Sequence, residues 1–310
     1  MTAPNDFAPI TPDAIKHHWS LRLLPSWARP YGRLMRLERP IGWQLLLWPC
    51  VFSSLLASIA LQSPVQWVHL ILFTLGAIIM RGAGCTLNDI ADQDIDAKVG
   101  RTAERPIPSG EVSARNAALF LVALLAAGFL ILITFNLFTI GVGIASLVLV
   151  GFYPFAKRIT NWPQAVLGLV FAWGALVGWT AQTQSLDMPM VALYLACVIW
   201  IIGYDTIYAF QDLEDDALAG VGSSAQALGD KAPGFIALCY ALTVVLIGYA
   251  MMAVGAGLVA FVGLGLAGAQ LAWQVITLDL TDKEGCLARF KSNTLAGGLI
   301  AGGLLLDVLL

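Results

Sequence analysis

Residues 233–278 read PGFIALCYALTVVLIGYAMMAVGAGLVAFVGLGLAGAQLAWQVITL and contain no charged side chain. About 20 consecutive apolar residues are enough to cross a hydrocarbon layer roughly 30 Å thick as a helix. The stretch is long enough for two such helices, 233–254 and 256–278, with a turn between them. It therefore predicts a chain that crosses a membrane more than once.

Comparable segments recur along the 310 residues, of which 58% are hydrophobic and 12% charged, with a mean hydropathy of +0.78. This composition excludes an ordinary soluble domain. The predicted spans are 40–62, 67–88, 116–135, 137–153, 164–182, 189–211, 233–254, 256–278 and 292–310. We predict an all-α polytopic membrane protein of about nine transmembrane helices. An amphipathic N-terminal segment over 1–39, without the features of a signal peptide, precedes a single transmembrane domain over 40–310.

The positive charges orient these spans. With nine helices, the connections after helices 1, 3, 5 and 7 carry no Lys or Arg, so all of these charges fall on one side of the membrane. Lys and Arg near helix ends are retained on the cytoplasmic side. We therefore predict a cytoplasmic N-terminus and a C-terminus on the outer side, in a bacterial inner membrane.

The total charge and the cysteines exclude other classes. The 17 Lys and Arg stand against 20 Asp and Glu, for a net charge of -3, so no basic surplus indicates nucleic acid as a partner. The five cysteines are scattered and lack CxxC spacing. They are predicted to be small core residues, with no disulfide framework or cysteine metal site. The oligomeric state is unknown at this level.

An acidic cluster, NDIADQDID at 88–96, lies at the end of predicted helix 2. On a helix, Asn88, Asp92 and Asp96 recur every four residues and share one face. Ionisable residues at membrane depth are costly and by default functional. A calcium loop is a weaker interpretation, because the turn glycine and the closing glutamate of an EF-hand are missing.

A second cluster, DTIYAFQDLEDD at 205–216, lies at the corresponding end of predicted helix 6. One helical stripe carries Asp205, Tyr208, Asp212 and Asp216. Converging carboxylates need a cation, and hard oxygen ligands suit Mg²⁺, which bridges carboxylates to substrate phosphates. Two such clusters predict a diphosphate held between them. The alternative is that both are solvated helix ends.

Cations suited to phosphate oxygens lie between the clusters in the sequence: Arg101, Arg105 and Lys157. Each can also be explained as a charge that only sets the topology. Arg81 is different, because it lies seven residues before Asn88, two helical turns deeper in predicted helix 2. An inward role facing an anion explains its position better.

At this point the sequence resembles the UbiA superfamily of intramembrane prenyltransferases. The two signatures of that superfamily, Asn-Asp-x-x-Asp-x-x-x-Asp and Asp-x-x-Tyr-Ala-x-x-Asp-x-x-x-Asp, are complete at 88–96 and 205–216. The stretches RLERPIGWQLLLWP at 36–49 and NWPQAVLGLVFAWG at 161–174 are similar to the branch that acts on 4-hydroxybenzoate. One departure is Gly222, where that branch often carries a lysine.

The resemblance implies helices around a central cavity with a cytoplasmic cap. It also implies Mg²⁺-dependent transfer of a polyprenyl group from polyprenyl diphosphate to the 3-position of 4-hydroxybenzoate. This reaction is a step of ubiquinone biosynthesis. It implies that the metal and diphosphate are held by Asn88, Asp92, Asp96, Asp205, Asp212 and Asp216, with Asp92, Asp96, Asp212 and Asp216 as the catalytic acids. Membrane lipid is expected around the helices. Another aromatic acceptor is the nearest alternative.

The remaining roles are expectations about single side chains. Arg101, Arg105 and Lys157 would take up the charge of the leaving group. A benzoate carboxylate needs a dedicated cation, for which Arg36 and Arg81 are the candidates, Arg81 having the stronger case. Tyr153 or an acid would help to remove the ring proton, although nothing in the sequence assigns that role.

Two rivals come from other functional classes. A cation-coupled transporter places its charged sites near the bilayer midplane on broken helices, whereas these acids lie at helix ends. A nonenzymatic scaffold of quinone assembly has no need for ligand-type side chains in two stripes. Both rivals are therefore weaker than the enzyme.

Overall fold

The computed structural model describes residues 18–96, 102–211, 213 and 222–310, in which all regular secondary structure is helical. Its α-helices are α1 Trp19–Arg22, α2 Arg29–Leu34, α3 Ile41–Ala60, α4 Trp67–Ala91, α5 Gln93–Asp96, α6 Ala114–Leu132, α7 Leu137–Ile159, α8 Pro163–Ala172, α9 Gly174–Thr183, α10 Met188–Ala209, α11 Ser224–Leu228, α12 Ala232–Ala253, α13 Leu258–Ile276 and α14 Lys283–Leu309. Short 3-10 turns, Ser26–Ala28 and Gly229–Lys231, precede α2 and α12.

The helices confirm the predicted fold class. Within the described residues, eight helical segments are long and apolar enough to cross a membrane. They are α3, α4, α6, the pair α8–α9, α10, the stretch from α11 through α12, α13 and α14. Helix α7 corresponds to the remaining predicted span, and its side chains are apolar over Leu137–Tyr153, the part before the side chains that the structure does not describe. The protein is therefore an all-helical membrane protein.

Among the predicted boundaries that differ from the structure, two have a clear local cause. Helix α14 begins at Lys283 rather than near residue 292, because the Asp282 carboxylate accepts the Gly285 N–H at 2.9 Å and caps a polar first turn. The span predicted over 164–182 is divided into α8 and α9 at Trp173. The backbone N–H of Trp173 donates to the Val170 carbonyl, which makes a tighter turn at this point. Hydropathy alone predicts neither the cap at Asp282 nor the turn at Trp173.

The first compact unit comprises residues 1–43 and 75–131, of which 18–43, 75–96 and 102–131 are described. Its small core is formed by Leu34, Ile107, Val112 and Ala117, all buried. The Tyr31 and Phe120 rings pack edge to face beside this core, with centroids 5.0 Å apart. The packing joins α2, the connection after α5 and the start of α6.

The second compact unit comprises residues 44–74 and 132–310. Helix α10 lies inside it and packs against α8, α12 and α14. Trp200 of α10 donates its indole N–H to Asn293 of α14 at 2.8 Å, and Asn293 and Tyr240 both donate to the Gln274 side-chain oxygen, at 3.2 and 2.9 Å. These bonds satisfy polar groups at membrane depth, where an unpaired group is costly.

The cysteines behave as predicted. All five are free, four of them are buried, and Cys50 is half-buried. They are therefore core residues of the spanning helices.

Candidate functional site

The first acidic cluster continues the helical path of α4. The Asp92 N–H donates to the Asn88 carbonyl at 2.9 Å, and the Asp96 N–H donates to the Asp92 carbonyl at 2.8 Å. These bonds confirm the four-residue repeat that places the three side chains on one face. Asp92 is 2% exposed and Asp96 6% exposed, so their carboxylates are largely withdrawn from solvent. Asp94, between them, is exposed.

The loop that follows brings Arg105 to this face. The Thr102 hydroxyl donates to the Asp96 carbonyl at 2.9 Å, and the Arg105 N–H donates to the Thr102 carbonyl at 3.0 Å. The Arg105 guanidinium then reaches the Asp96 carboxylate at 2.6 Å and the Asp89 carboxylate at 3.3 Å. One predicted phosphate-binding cation is therefore in direct contact with one predicted metal ligand.

Asp89 is the residue of this region that the sequence reasoning missed. Its side chain is 1% exposed, and both of its oxygens accept from Nη2 of Arg36, at 2.6 and 2.9 Å. Asp89 and Asp96 are seven residues apart, two helical turns, so one cation can reach both. That seven-residue spacing was a signal available in the sequence.

Arg36 is held by its backbone as well as by Asp89. It has a φ of 57° at the end of α2, where its N–H donates to the Arg33 carbonyl and the Leu37 N–H donates to the Gly32 carbonyl. Glycine usually occupies this position of a helix end, and another residue there costs roughly 1–2 kcal/mol. The ion pair with Asp89 offsets part of that strain.

Arg81 lies in the same unit and is half-buried in α4. Its side chain runs along the start of α3, since a Cβ added at Gly42 would lie 2.5 Å from its Nε atom. The absence of a side chain at Gly42 therefore makes room for the Arg81 guanidinium.

The second acidic cluster belongs to the other compact unit and is described only in part. Asp205 is half-buried near the end of α10, and the Tyr208 ring packs on Phe290 with centroids 4.7 Å apart. Asp212 and Asp216 lie outside the described residues, as does Arg101. Lys157 lies on α7 without a described side chain, and Tyr153 is half-buried on the same helix.

The predicted ligands of the two acidic clusters suit a hard cation, because their side chains offer carboxylate and amide oxygens. Among the described residues, however, no three His, Cys, Asp or Glu side chains are grouped closely enough to hold a metal ion. The predicted ligands belong to two units, and two of the six fall outside the described part. The predicted metal set therefore stays a prediction.

The loop after the second cluster explains the glycine at position 222. A Cβ added there would lie 2.8 Å from the Thr160 carbonyl oxygen and 2.6 Å from the Asn161 side-chain oxygen. The next turn is tied down by Ser224, whose N–H donates to the Gln164 side chain at 3.0 Å. A lysine at position 222 does not fit this close approach.

We expect Gly222→Ala to destabilise the protein by about 1–3 kcal/mol, because the new methyl group forces the 160–161 backbone to move. Thermal unfolding in detergent would measure this as a lower Tm. The matched control is Gly234→Ala in α12, where a Cβ meets no atom within 4 Å. Equal Tm values for the two variants would contradict the close approach at Gly222.

Comparison with known proteins gives concordant matches. The profile of the UbiA prenyltransferase family matches residues 46–296. A curated relative from Drosophila melanogaster, named 4-hydroxybenzoate polyprenyltransferase, mitochondrial, is 42% identical over 299 residues, which are 96% of this chain and 76% of the relative.

Solved structures agree on the fold. The apo structure of a UbiA homolog from Aeropyrum pernix K1 is 27% identical, with a TM-score of 0.70 over 84% of this chain and 97% of that chain. The structure of a UbiA homolog from Archaeoglobus fulgidus bound to GPP and Mg²⁺ is 17% identical, with a TM-score of 0.56 over 87% of this chain and 99% of that chain.

These relatives correct one prediction. The expected location in a bacterial inner membrane is wrong, because the curated relatives at this identity are named mitochondrial and come from eukaryotes. An asymmetry of Lys and Arg distinguishes the two sides of a membrane. It does not distinguish one membrane from another.

Proposed function

Because the chain belongs to the UbiA prenyltransferase family, we propose that it transfers a polyprenyl group from polyprenyl diphosphate to the 3-position of 4-hydroxybenzoate, in ubiquinone biosynthesis. The allylic C–O bond to the diphosphate breaks, and a C–C bond forms at the ring carbon ortho to the hydroxyl. The ring proton and the diphosphate leave. A relative that matches 96% of the chain and carries this activity in its name supports the assignment.

The observation that carries this function is the stripe of Asn88, Asp92 and Asp96 on successive helical turns, with Arg105 on Asp96 at 2.6 Å. We assign these three residues, together with Asp205, Asp212 and Asp216, to holding Mg²⁺ and the diphosphate. When bound, Mg²⁺ supplies positive charge that stabilises the leaving diphosphate. A UbiA homolog with bound GPP and Mg²⁺ supports this choice of cofactor.

Cations near the stripe would neutralise the charge that develops on the diphosphate as the C–O bond breaks. Arg105 already has its guanidinium beside Asp96, so this charge is positioned before the reaction and costs little reorganisation. Arg101 and Lys157 complete the proposed set. Tyr208 would form a wall of the second half of the site, since its ring rests on Phe290, and Tyr153 stays a candidate for removing the ring proton.

The acceptor carboxylate requires its own cation, and the structure bears on the choice between Arg36 and Arg81. The Nη2 atom of Arg36 is engaged by both oxygens of Asp89, which is buried. Releasing Arg36 for a substrate would leave that carboxylate with Arg105 alone, at 3.3 Å, which is a costly exchange for a buried charge. Arg81 is half-buried in α4, two helical turns before Asn88, and we assign the benzoate carboxylate to it on the basis of this position.

We expect Arg81→Ala to raise the KM for 4-hydroxybenzoate by roughly tenfold or more, since a hydrogen bond to a charged group contributes about 1.5–3 kcal/mol. The KM for polyprenyl diphosphate should change little, and Arg81→Lys should restore only part of the affinity. Arg33→Ala is the control, because Arg33 pairs with Glu111 at the surface of the same unit. A defect confined to polyprenyl diphosphate would move Arg81 to the diphosphate site.

The acceptor class is tested with three compounds offered to the purified protein in lipid vesicles with Mg²⁺ and polyprenyl diphosphate. The proposal predicts prenylation of 4-hydroxybenzoate, and weak prenylation of 4-hydroxybenzamide, which lacks the carboxylate. Benzoate lacks the hydroxyl that activates the ortho carbon and should not react. Equal use of the amide and the acid would contradict recognition of the carboxylate and favour another aromatic acceptor.

A further inference from the structure

Residues 18–37 form a folded hairpin before the first span, made of α1, the turn Ser26–Ala28 and α2. Leu21 and Leu24 are its inner side chains, because a Cβ added at Gly32 would lie 2.8 and 2.7 Å from their methyl groups. The Ser20 hydroxyl donates to the Leu37 carbonyl at 3.3 Å and joins the two ends. The inner face of the hairpin is therefore packed.

The outer face of the hairpin carries large apolar side chains that the rest of the hairpin does not cover. Trp19 on α1, Leu23 at the C-terminal cap of α1 and Trp27 in the turn Ser26–Ala28 are 66%, 75% and 74% exposed. Helices α1 and α2 have four and six residues, so neither crosses a membrane. Exposed apolar groups clustered in this way outside a span mark an interaction surface.

The charged residues near this outer face indicate which kind of surface it binds. No Asp or Glu occurs from residue 18 to residue 37, whereas Arg22 is exposed next to Leu23. Tryptophan is enriched at the membrane–water interface, and basic residues there are attracted to anionic lipid headgroups. Leu37, the end of the hairpin, is four residues from Ile41, the start of α3, which limits their separation to about 14 Å.

We propose that the aromatic face, formed by Trp19, Leu23, Trp27 and Arg22, lies in the anionic headgroup layer of the membrane that the chain spans. The apolar side chains enter the boundary between headgroups and acyl chains, and Arg22 stays at the level of the phosphates. The hairpin leads directly into Arg36. Anchoring it therefore fixes the segment from which Arg36 reaches Asp89.

The position of the aromatic face can be measured on the full-length protein in vesicles of phosphatidylcholine and phosphatidylglycerol. Bimane is attached to Leu23→Cys, and to Thr281→Cys as the control, an exposed site between two aspartates in the connection before α14. The unsubstituted protein, treated in the same way, gives the background from the native cysteines. Each sample is quenched with nitroxide lipids labelled near the headgroup and with aqueous acrylamide.

The proposal predicts that Leu23→Cys is quenched more by the nitroxide lipids, with blue-shifted emission, and that Thr281→Cys is quenched more by acrylamide. Quenching of Leu23→Cys by acrylamide as strong as at Thr281→Cys would overturn it. Protection of Leu23→Cys from both quenchers would also overturn it, because a protein partner or a second copy would then cover the face.

The choice of anionic headgroups has a separate test. Arg22→Glu is added to Leu23→Cys, and lipid quenching is compared in vesicles with and without phosphatidylglycerol. We expect the substitution to weaken lipid quenching in the anionic vesicles and to change it less in phosphatidylcholine alone. An equal effect in both vesicles would overturn the assignment to anionic lipid.

Discussion

Replacing Asp92 by Ala is expected to lower turnover by roughly 10²-fold or more, if a polarised leaving group supplies several kcal/mol to the transition state. Asp92 is the middle member of the stripe and is 2% exposed, so its carboxylate is largely withdrawn from water. Steady-state assays in vesicles with saturating substrates would measure kcat. A shift to a higher Mg²⁺ requirement is expected for Asp92→Asn, which keeps one oxygen ligand.

The matched control for Asp92 lies two residues along the chain. Asp94 is exposed and lies off the stripe, so Asp94→Ala should keep nearly the activity of the unsubstituted protein. It removes the same charge from the same segment. A comparable loss in both variants would indicate a general effect of charge and contradict a specific role for Asp92.

Replacing Asp89 by Ala is expected to destabilise the protein by about 3–5 kcal/mol, because removing one partner of a buried ion pair leaves the other charge uncompensated. Arg36 is 10% exposed in its side chain and is held at a strained backbone position, so it cannot turn to solvent without moving the end of α2. Unfolding in mixed micelles would measure the loss. The variant Arg36→Gln combined with Asp89→Ala should recover part of the stability.

A surface ion pair in the same unit provides the comparison for Asp89. Glu111 pairs with Arg33, and its side chain is 40% exposed, so Glu111→Ala should cost no more than about 1 kcal/mol. If Asp89→Ala cost as little as Glu111→Ala, the buried pair would not be a structural element of this unit.

The spans were predictable because hydrophobic length is a property of short segments. The predicted span 40–62 corresponds to Ile41–Ala60, and 256–278 corresponds to Leu258–Ile276. Hydropathy failed where polar contacts extend a helix. The first turns of α14 carry Lys283 and Arg289, and Arg289 lies over the Trp273 ring at 5.7 Å while donating to the Gly285 carbonyl at 2.9 Å.

The site was predictable to the extent that it repeats along one helix. The four-residue spacing placed Asn88, Asp92 and Asp96 on one face, and their backbone hydrogen bonds confirm it. The role of Asp89 was predictable only in part: its spacing from Asp96 indicates a shared cation, but its partner Arg36 is 53 residues away in the chain. An ion pair between distant segments depends on tertiary packing. The spacing of residues along one helix cannot predict such a pair.

The central claim, prenyl transfer to a ring carbon of 4-hydroxybenzoate, is tested most directly by the fate of the ring hydrogens. Purified protein in vesicles is given Mg²⁺, polyprenyl diphosphate and 4-hydroxybenzoate deuterated at both positions ortho to the hydroxyl. The molecular mass of the product is then measured by mass spectrometry. We predict a prenylated product that has lost one of the two deuterons, with one diphosphate released per product. A prenylated product that keeps both deuterons, or diphosphate release without any prenylated acceptor, would contradict the account.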